Sequence, residues 1–211
     1  MMPDSSASSG RTALREWVIT ALFAALLCVC APFSIPVGPV PVTLATLALY
    51  VISLMLRPKN AFVAVLLYVC IGAVGVPVFS GFTGGFDRIL GVTGGYIAGY
   101  PVCALIASIL SHLSLTRWRF PFRVLGMLSG TIVLYAIGSL WFMVSTGNDL
   151  ASTLMLCVIP FLLGDALKMI FAFLLTLALE KPLASLLPDT RTGKGSSPRP
   201  EPPDPDPADR K

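Results

Sequence analysis

Two charged residues, Asp165 and Lys168, lie inside an otherwise apolar stretch of the chain, within the segment 160–168 (PFLLGDALK). They are three positions apart, a spacing that places both side chains on one face of a helix. A lone charge at the middle of a bilayer costs at least about 2.5–3.5 kcal/mol, so such residues usually face an interior cavity and carry a function. The pair is therefore the first candidate for a ligand or ion site. The alternative is a structural ion pair, although buried pairs stabilise less than apolar residues of similar size.

The composition predicts an integral membrane protein, with 55% hydrophobic residues, 12% charged residues and a mean hydropathy of +0.81. Long, uniformly apolar runs favour transmembrane helices over a barrel, because each helix satisfies its own backbone polar groups. The predicted fold class is an all-α membrane protein with six transmembrane helices. The expected spans are about 17–35, 40–56, 61–79, 94–111, 124–146 and 152–179.

The two ends of the chain differ in composition from the membrane domain, which we assign to residues 13–183. Residues 1–12 are expected to form a disordered N-terminus. Residues 188–211 contain many prolines among polar and charged residues, so we expect a disordered Pro-rich cytoplasmic tail. Arg11 and Arg15 precede the first apolar run as in a signal peptide, but no small-residue cleavage site follows, and the run is retained as a helix.

The basic residues predict that both termini face the cytoplasm (N-in, C-in). This orientation places most of the lysines and arginines in cytoplasmic segments, as the positive-inside rule requires. These residues are Arg11, Arg15, Arg57, Lys59, Arg117, Arg119, Arg123, Lys181, Arg191, Lys194, Arg199, Arg210 and Lys211. Only Arg88 falls outside, and Lys168 lies in the membrane. The net charge of +4 thus reflects topology and attraction to membrane lipids, and gives no case for nucleic acid.

Two segments on the expected outer side have unusual compositions. The first connection, residues 32–43, has four prolines within ten residues, which predicts a stiff extended segment that we call the proline strap. The second, residues 81–96, contains one pattern twice, as FTGGF at 82–86 and VTGGY at 92–96. In this glycine-rich loop, glycine pairs let the backbone approach a ligand or another helix, while threonine and tyrosine offer hydroxyls. The alternative is a tight structural crossover.

Other chemistries lack support in the sequence. The glycine-rich loop has no Gly-Lys-Ser/Thr ending and the chain has no Walker motif, so it cannot hydrolyse ATP by itself. The five cysteines have no metal-ligand spacing and His112 is the only histidine. We therefore expect packing roles for the cysteines, and neither a metal nor a cofactor.

Pairs of small residues four positions apart offer grooves for close helix approach. The pairs are Ala21 with Ala25, Gly95 with Gly99, and Gly126 with Gly130. Most such grooves serve packing within one bundle. Ala21 and Ala25 differ because they lie on the first helix, which could be peripheral and could dock against another subunit.

Four motifs in order resemble the signature of the BioY family, the biotin-binding S components of energy-coupling factor (ECF) transporters. The resemblance covers about residues 13–183. The motifs are PVPVTL at 39–44, GVPVFSG at 75–81, GVTGGY at 91–96 and GDALK at 164–168.

The resemblance implies a six-helix S-component-like bundle with an outward pocket closed by an extracellular loop lid. It implies a non-enzymatic subunit of the bacterial cytoplasmic membrane that captures biotin outside. An ECF transmembrane coupling subunit, contacting Ala21 and Ala25, and two ABC-type ATPase subunits would then drive uptake. The ureido N–H groups of biotin suit Asp165, and an oxygen acceptor suits Lys168. The candidate substrate-binding residues are Asp165, Lys168, Thr43, Thr83, Tyr96, Phe79 and Phe82.

Alternative functions remain open. Biotin uptake by the chain alone is one of them. A second is a proton-coupled secondary vitamin transporter in which Asp165 carries the proton, although such folds usually show two repeated halves. A third is an intramembrane enzyme using Asp165 and Lys168 as acid and base, although the sequence offers no nucleophile or metal cluster.

Overall fold

The computed structural model describes residues 5–36, 39–113 and 119–183, which form eight helices and one two-stranded hairpin. In chain order the elements are α1 (Ser5–Cys30), β1 (Ser34–Ile35), β2 (Val42–Thr43), α2 (Ala45–Met55), α3 (Pro58–Ala73), α4 (Phe86–Leu90), α5 (Gly94–His112), α6 (Arg119–Thr146), α7 (Leu150–Cys157) and α8 (Ile159–Leu183).

The described residues include three helical segments that are long and apolar enough to cross a membrane. These are Gly94–His112 in α5, Phe120–Thr146 in α6 and Leu150–Glu180 in α7 and α8. The helices α2 and α3 are also apolar but shorter. The protein is thus a mostly helical integral membrane protein. Each of the six predicted spans overlaps a helix, although several boundaries differ.

The proline strap occupies positions that had been assigned to the end of the first predicted span and the beginning of the second. The first span was expected to reach residue 35 and the second to begin at residue 40, but α1 ends at Cys30 and α2 begins at Ala45. Between them Ser34 pairs with Thr43 and Ile35 with Val42 in an antiparallel hairpin. Prolines lack a backbone donor and clash with a preceding helical turn, so the extended backbone is the available conformation.

The helices also differ from the prediction near both ends of the chain. The last predicted span is interrupted, and the first helix begins earlier than expected. The expected span 152–179 is interrupted at Val158, because Pro160 has no N–H to continue the helical ladder. Residues 5–12 belong to the region expected to be disordered, but the backbone of α1 is helical there. Extending an existing helix by one residue is easier than nucleating a new one. Residues 1–4 and the tail 188–211 lie outside the described residues.

The core is centred on the packing of α5 against α6, α3 and α2. Glycines make this close approach possible. A Cβ at Gly99 would lie 3.1 Å from Leu134, and a Cβ at Gly130 would lie 2.9 Å from the Cys103 carbonyl oxygen. A Cβ at Gly126 would collide with Ser111. The two glycine pairs therefore pack helices within this bundle, as small-residue grooves commonly do.

Two ion pairs lie at one end of the bundle. Arg57, at the start of α3, approaches Glu16 of α1 with 3.7 Å between nitrogen and oxygen. Arg123 of α6 donates to Glu180 of α8. Each pair joins two elements where the chain enters or leaves the apolar layer.

Candidate ligand-binding site

A cavity of about 430 Å³ lies within the bundle, and Asp165 and Lys168 both line it. Its walls come from the strap, α2, α3, the glycine-rich loop, α5, α6 and α8. Small-molecule sites commonly have volumes of roughly 300–1,000 Å³ and mostly apolar walls with a few polar groups. The cavity has the dimensions of such a site.

Asp165 is the centre of a hydrogen-bond network that joins three helices. Its Oδ1 atom accepts from Thr46 Oγ1 of α2 at 3.1 Å and from Lys168 Nζ at 2.9 Å. Its Oδ2 atom accepts from the Tyr135 hydroxyl of α6 at 2.7 Å. The residue is only 4% exposed, so these donors replace the water that would otherwise solvate the carboxylate.

Lys168 is held one helical turn from Asp165. In addition to the carboxylate, its ammonium donates to Thr46 Oγ1 at 3.0 Å. An ammonium has three protons, and these two bonds use two of them. The third remains available to an oxygen acceptor in the cavity.

Thr46 and Tyr135 belong to this network, and neither was predicted from the sequence. The signal for Tyr135 was its hydroxyl inside an apolar helix, because a buried tyrosine usually finds a hydrogen-bond partner. Thr46 lies just beyond the PVPVTL motif, one position into α2. Its role depends on the approach of α8, which no local pattern reveals.

The apolar walls carry several aromatic rings. Tyr68 of α3 packs edge-on against Phe79 with ring centres 5.6 Å apart, and Tyr68 also faces Tyr100. Gly72 leaves the space that the Phe79 ring occupies. Tyr96 lines the cavity and donates its hydroxyl to the Cys157 carbonyl oxygen at 3.1 Å, at the break between α7 and α8. Flat rings of this kind can enclose a small bicyclic ligand.

The proline strap covers one side of the cavity. Pro39, Val40, Pro41 and Thr43 line it. Thr43 is buried, and its Oγ1 accepts from the Ala45 backbone N–H at 3.2 Å at the start of α2. The hydroxyl proton of Thr43 is not used by that bond and can serve a ligand.

The two halves of the glycine-rich loop have different conformations despite their shared sequence. In the first half Phe82 and Gly85 have positive φ angles of 57° and 104°, so the backbone turns. In the second half Gly94 and Gly95 begin α5, where a Cβ at Gly95 would collide with Trp141. One half is a turn beside the cavity and the other is a site of close helix packing.

The predicted ligand residues of this loop separate into two groups. Thr83 lines the cavity and donates its hydroxyl to the Ser80 carbonyl oxygen at 2.9 Å. Phe82 lies outside the cavity: its side chain is exposed and packs edge-on against Phe33 of the strap, with ring centres 5.6 Å apart. Of the seven predicted ligand residues, Phe82 is the one that the structure does not bring to the cavity.

Two further charged residues, Asp87 and Arg88 of α4, line the mouth of the cavity. Both are exposed. Their charges therefore act on the entrance, whereas the charges of Asp165 and Lys168 act deep inside.

Ala21 and Ala25 lie on an exposed face of α1. The opposite face of the helix packs into the core through Ile19, Phe23 and Leu27. The face with the two alanines also exposes Trp17 and Leu22. This arrangement leaves both alanines exposed on the surface of the described chain.

The chemistry available in the cavity is that of binding. The Asp165 carboxylate can accept from N–H donors, and Lys168 and the hydroxyls can donate to an oxygen. Within the described ranges no group of three His, Cys, Asp or Glu side chains is placed to hold a metal ion.

Sequence comparisons connect this site to known proteins. The model of the BioY family matches residues 3–185. A protein of Pyrococcus horikoshii named "Probable biotin transporter BioY" is 40% identical over 73% of this chain and 89% of its own length. The "Biotin transporter BioY" of Thermotoga maritima is 32% identical over 80% of this chain and 97% of its own length.

A solved structure shares the fold. It is described as the S-component for biotin from an ECF-type ABC transporter and superposes with a TM-score of 0.73 at 23% sequence identity. The match covers 86% of this chain and 95% of the other. With the family model spanning most of the sequence, the chain belongs to the BioY family.

Proposed function

We propose that this protein is the substrate-binding membrane subunit of an ECF transporter, which captures biotin from outside the cell and hands it to an energy-coupling module. The observation that carries the proposal is the buried Asp165 network, which opens into a cavity of about 430 Å³ in a member of the BioY family. The relatives named as biotin transporters support the choice of ligand.

The chemistry of biotin fits the two kinds of cavity surface. Its ureido ring has two N–H donors, which suit the Asp165 carboxylate, and one carbonyl, which suits the remaining proton of Lys168. Its sulfur-containing ring is apolar and suits the aromatic walls formed by Tyr68, Phe79 and Tyr100. Thr43, Thr83 and Tyr96 border the space left for the rest of the ligand.

We place the cavity mouth on the outer side of a bacterial cytoplasmic membrane. The reason is the distribution of charge: Arg57 and Arg123 belong to the segments assigned to the cytoplasm, where positive residues accumulate. In this arrangement residues 13–183 cross the membrane six times, with both termini inside. The proline strap is then the lid over the outward pocket, and lipids surround the exposed apolar faces.

The coupling surface in this proposal is the exposed face of α1. Ala21 and Ala25 present a groove that another helix can approach closely. The partner is the transmembrane coupling subunit, which assembles with two ABC-type ATPase subunits. The pocket and the groove are formed by different residues, so capture and coupling are separable.

Calorimetry on the detergent-purified protein tests the ligand. We expect saturable one-to-one binding of biotin, and no binding of thiamine or riboflavin at the same concentrations. Binding of another vitamin without binding of biotin would contradict the proposal. A variant that lacks the Asp165 carboxylate is the control for specific binding of biotin, because it removes the centre of the network.

Replacing Ala21 and Ala25 together with leucine tests the coupling surface. We expect unchanged biotin affinity and loss of biotin uptake in cells that contain the coupling subunit and the ATPases, because two larger side chains fill the groove. A matched control is Ala178→Leu on the exposed face of α8, which should change neither property. Unchanged uptake by the double variant would contradict this part of the proposal. So would uptake by the unmodified protein that is the same in cells with and without the coupling module.

A further inference from the structure

The mouth of the cavity has an unpaired positive charge. Arg88, on the short helix α4, lines the cavity and is exposed. Among the described residues it takes part in none of the ion pairs, which join Arg57 to Glu16, Arg123 to Glu180 and Lys168 to Asp165. Arg88 is also the one basic residue that the topology predicted from the sequence places on the outer side. Nothing in the packing of α4, which buries none of its residues, requires a guanidinium there.

The deep end of the cavity is unsuited to an anion. Asp165 and Lys168 are opposite charges in direct contact, so together they contribute no net positive charge. Lys168 already donates to Asp165 and Thr46. A ligand carboxylate placed there would lie beside the Asp165 carboxylate, and two like charges in a buried site repel strongly.

A ligand with a cyclic urea at one end and a carboxylate at the other therefore has one favourable orientation. The urea places its N–H donors at Asp165, and the acid remains at the mouth. The guanidinium of Arg88 offers several donors in a planar fork that matches a carboxylate. Asp87, the neighbouring residue on α4, opposes this attraction, but adjacent positions on a helix do not face each other.

From this placement we infer that Arg88 recognises the carboxylate of the ligand at the cavity mouth and selects the free acid over its uncharged derivatives. The inference rests on the proposed function, because it takes biotin as the ligand. It makes Arg88 a specificity-determining residue that is separate from the Asp165 network. The interaction is exposed, so it is screened by salt and contributes less than the deep contacts.

Calorimetry with two ligands, biotin and biotin amide, tests the inference. The amide keeps the bicycle and the chain but has no charge. We expect the unmodified protein to prefer biotin by about threefold to fivefold, the upper part of the range for one exposed ion pair. Arg88→Gln should lower the affinity for biotin by about the same factor and leave that for biotin amide within about twofold. Arg88→Lys should retain part of the preference, because the charge remains.

Two further variants sharpen the result. Lys59→Gln, an exposed change away from the cavity, should alter neither affinity. Asp87→Asn should strengthen biotin binding by about twofold and leave biotin amide unchanged, because it removes a like charge from the mouth.

Equal affinities of the unmodified protein for the two ligands would overturn the role of Arg88 while leaving the proposed function intact. So would an equal loss for both ligands in Arg88→Gln, which would make the residue structural. Failure of both ligands to bind the unmodified protein would instead overturn the proposed function, and the inference with it.

Discussion

The charged pairs at one end of the bundle and the charged pair inside it each join a basic residue to an acidic one, but in different surroundings. Arg57 and Glu16 have side chains that are 46% and 33% exposed, and each pair at this end joins two separate elements. Asp165 and Lys168 have side chains only 6% and 12% exposed, and both lie on α8. The inner pair does not connect helices by itself. Thr46 and Tyr135 do so, by converging on one carboxylate from α2 and α6.

The two kinds of ion pair differ in the free energy that it costs to place charged groups there. A low cost needs no explanation beyond structure, whereas a high cost indicates another role for the charges. Exposed pairs contribute about 0–1 kcal/mol, and water solvates either partner if the other is lost. A buried pair carries a desolvation penalty of several kcal/mol per ion, which apolar residues of the same size avoid. A network of four polar side chains beside a cavity therefore fits the proposed ligand site better than a purely structural role.

The largest expected effect comes from breaking the inner pair. Asp165→Asn and Lys168→Met should each weaken biotin binding by about 2–5 kcal/mol, because each leaves a buried polar partner uncompensated. The double variant should lose less than the sum of the two, since the residues share one site. Calorimetry on the three variants measures these losses. Wild-type affinity in either single variant would reduce the pair to a structural role.

A smaller effect is expected at the edge of the network. Tyr135→Phe keeps the ring and removes the hydroxyl that donates to Asp165, so biotin binding should weaken by about 1.5–3 kcal/mol. The matched control is Tyr50→Phe. Its hydroxyl bonds Thr131 at 2.7 Å, outside the cavity lining, so this change should lower thermal stability and leave affinity unchanged. Equal losses of affinity in both variants would count against a specific role for Tyr135.

A still smaller effect is expected from the support of the glycine-rich loop. Trp141 of α6 donates its indole N–H to the Gly91 carbonyl oxygen at 2.9 Å and so fixes the backbone that borders the cavity. Trp141→Phe should weaken biotin binding by about 0.5–1.5 kcal/mol, the net value of one hydrogen bond. Trp17→Phe on the exposed face of α1 is the control and should have no effect on the calorimetric affinity. A larger loss would assign Trp141 a direct ligand contact.

The smallest effect is expected at the end of the bundle. Arg57→Gln should change thermal stability in detergent by at most about 1 kcal/mol and leave biotin affinity unchanged, because the pair is exposed. Arg123→Gln should cost somewhat more stability, since the Arg123 side chain is only 12% exposed. Loss of biotin affinity in either variant would remove the contrast between the end pairs and the inner pair.

The sequence predicts the parts of this molecule that depend on local chemistry. Two isolated charges in an apolar helix led directly to Asp165 and Lys168, and the hydrophobic runs predicted the helices. The prolines predicted the extended strap, which the hairpin confirms, although the spans drawn on either side of it were too long. The break at Val158 was missed, because hydropathy does not register whether each backbone N–H has a partner.

The rest of the site depends on tertiary contacts. Thr46 is 119 positions from Asp165 and Tyr135 is 30 positions away, so their convergence follows from helix packing. Phe82 shows the converse. Its type suits a ligand pocket, but it lies at a turn with a positive φ, and its exposed ring packs against Phe33.

The most direct test is a structure of the protein with biotin bound. We predict that the bicycle lies in the cavity, with a ureido nitrogen about 2.7–3.2 Å from an Asp165 carboxylate oxygen. The hydroxyl of Tyr135 and the ammonium of Lys168 should remain within hydrogen-bond distance of Asp165 or of the ureido oxygen. Biotin bound outside the cavity, or inside it without any polar contact to Asp165 or Lys168, would contradict the role proposed for this pair.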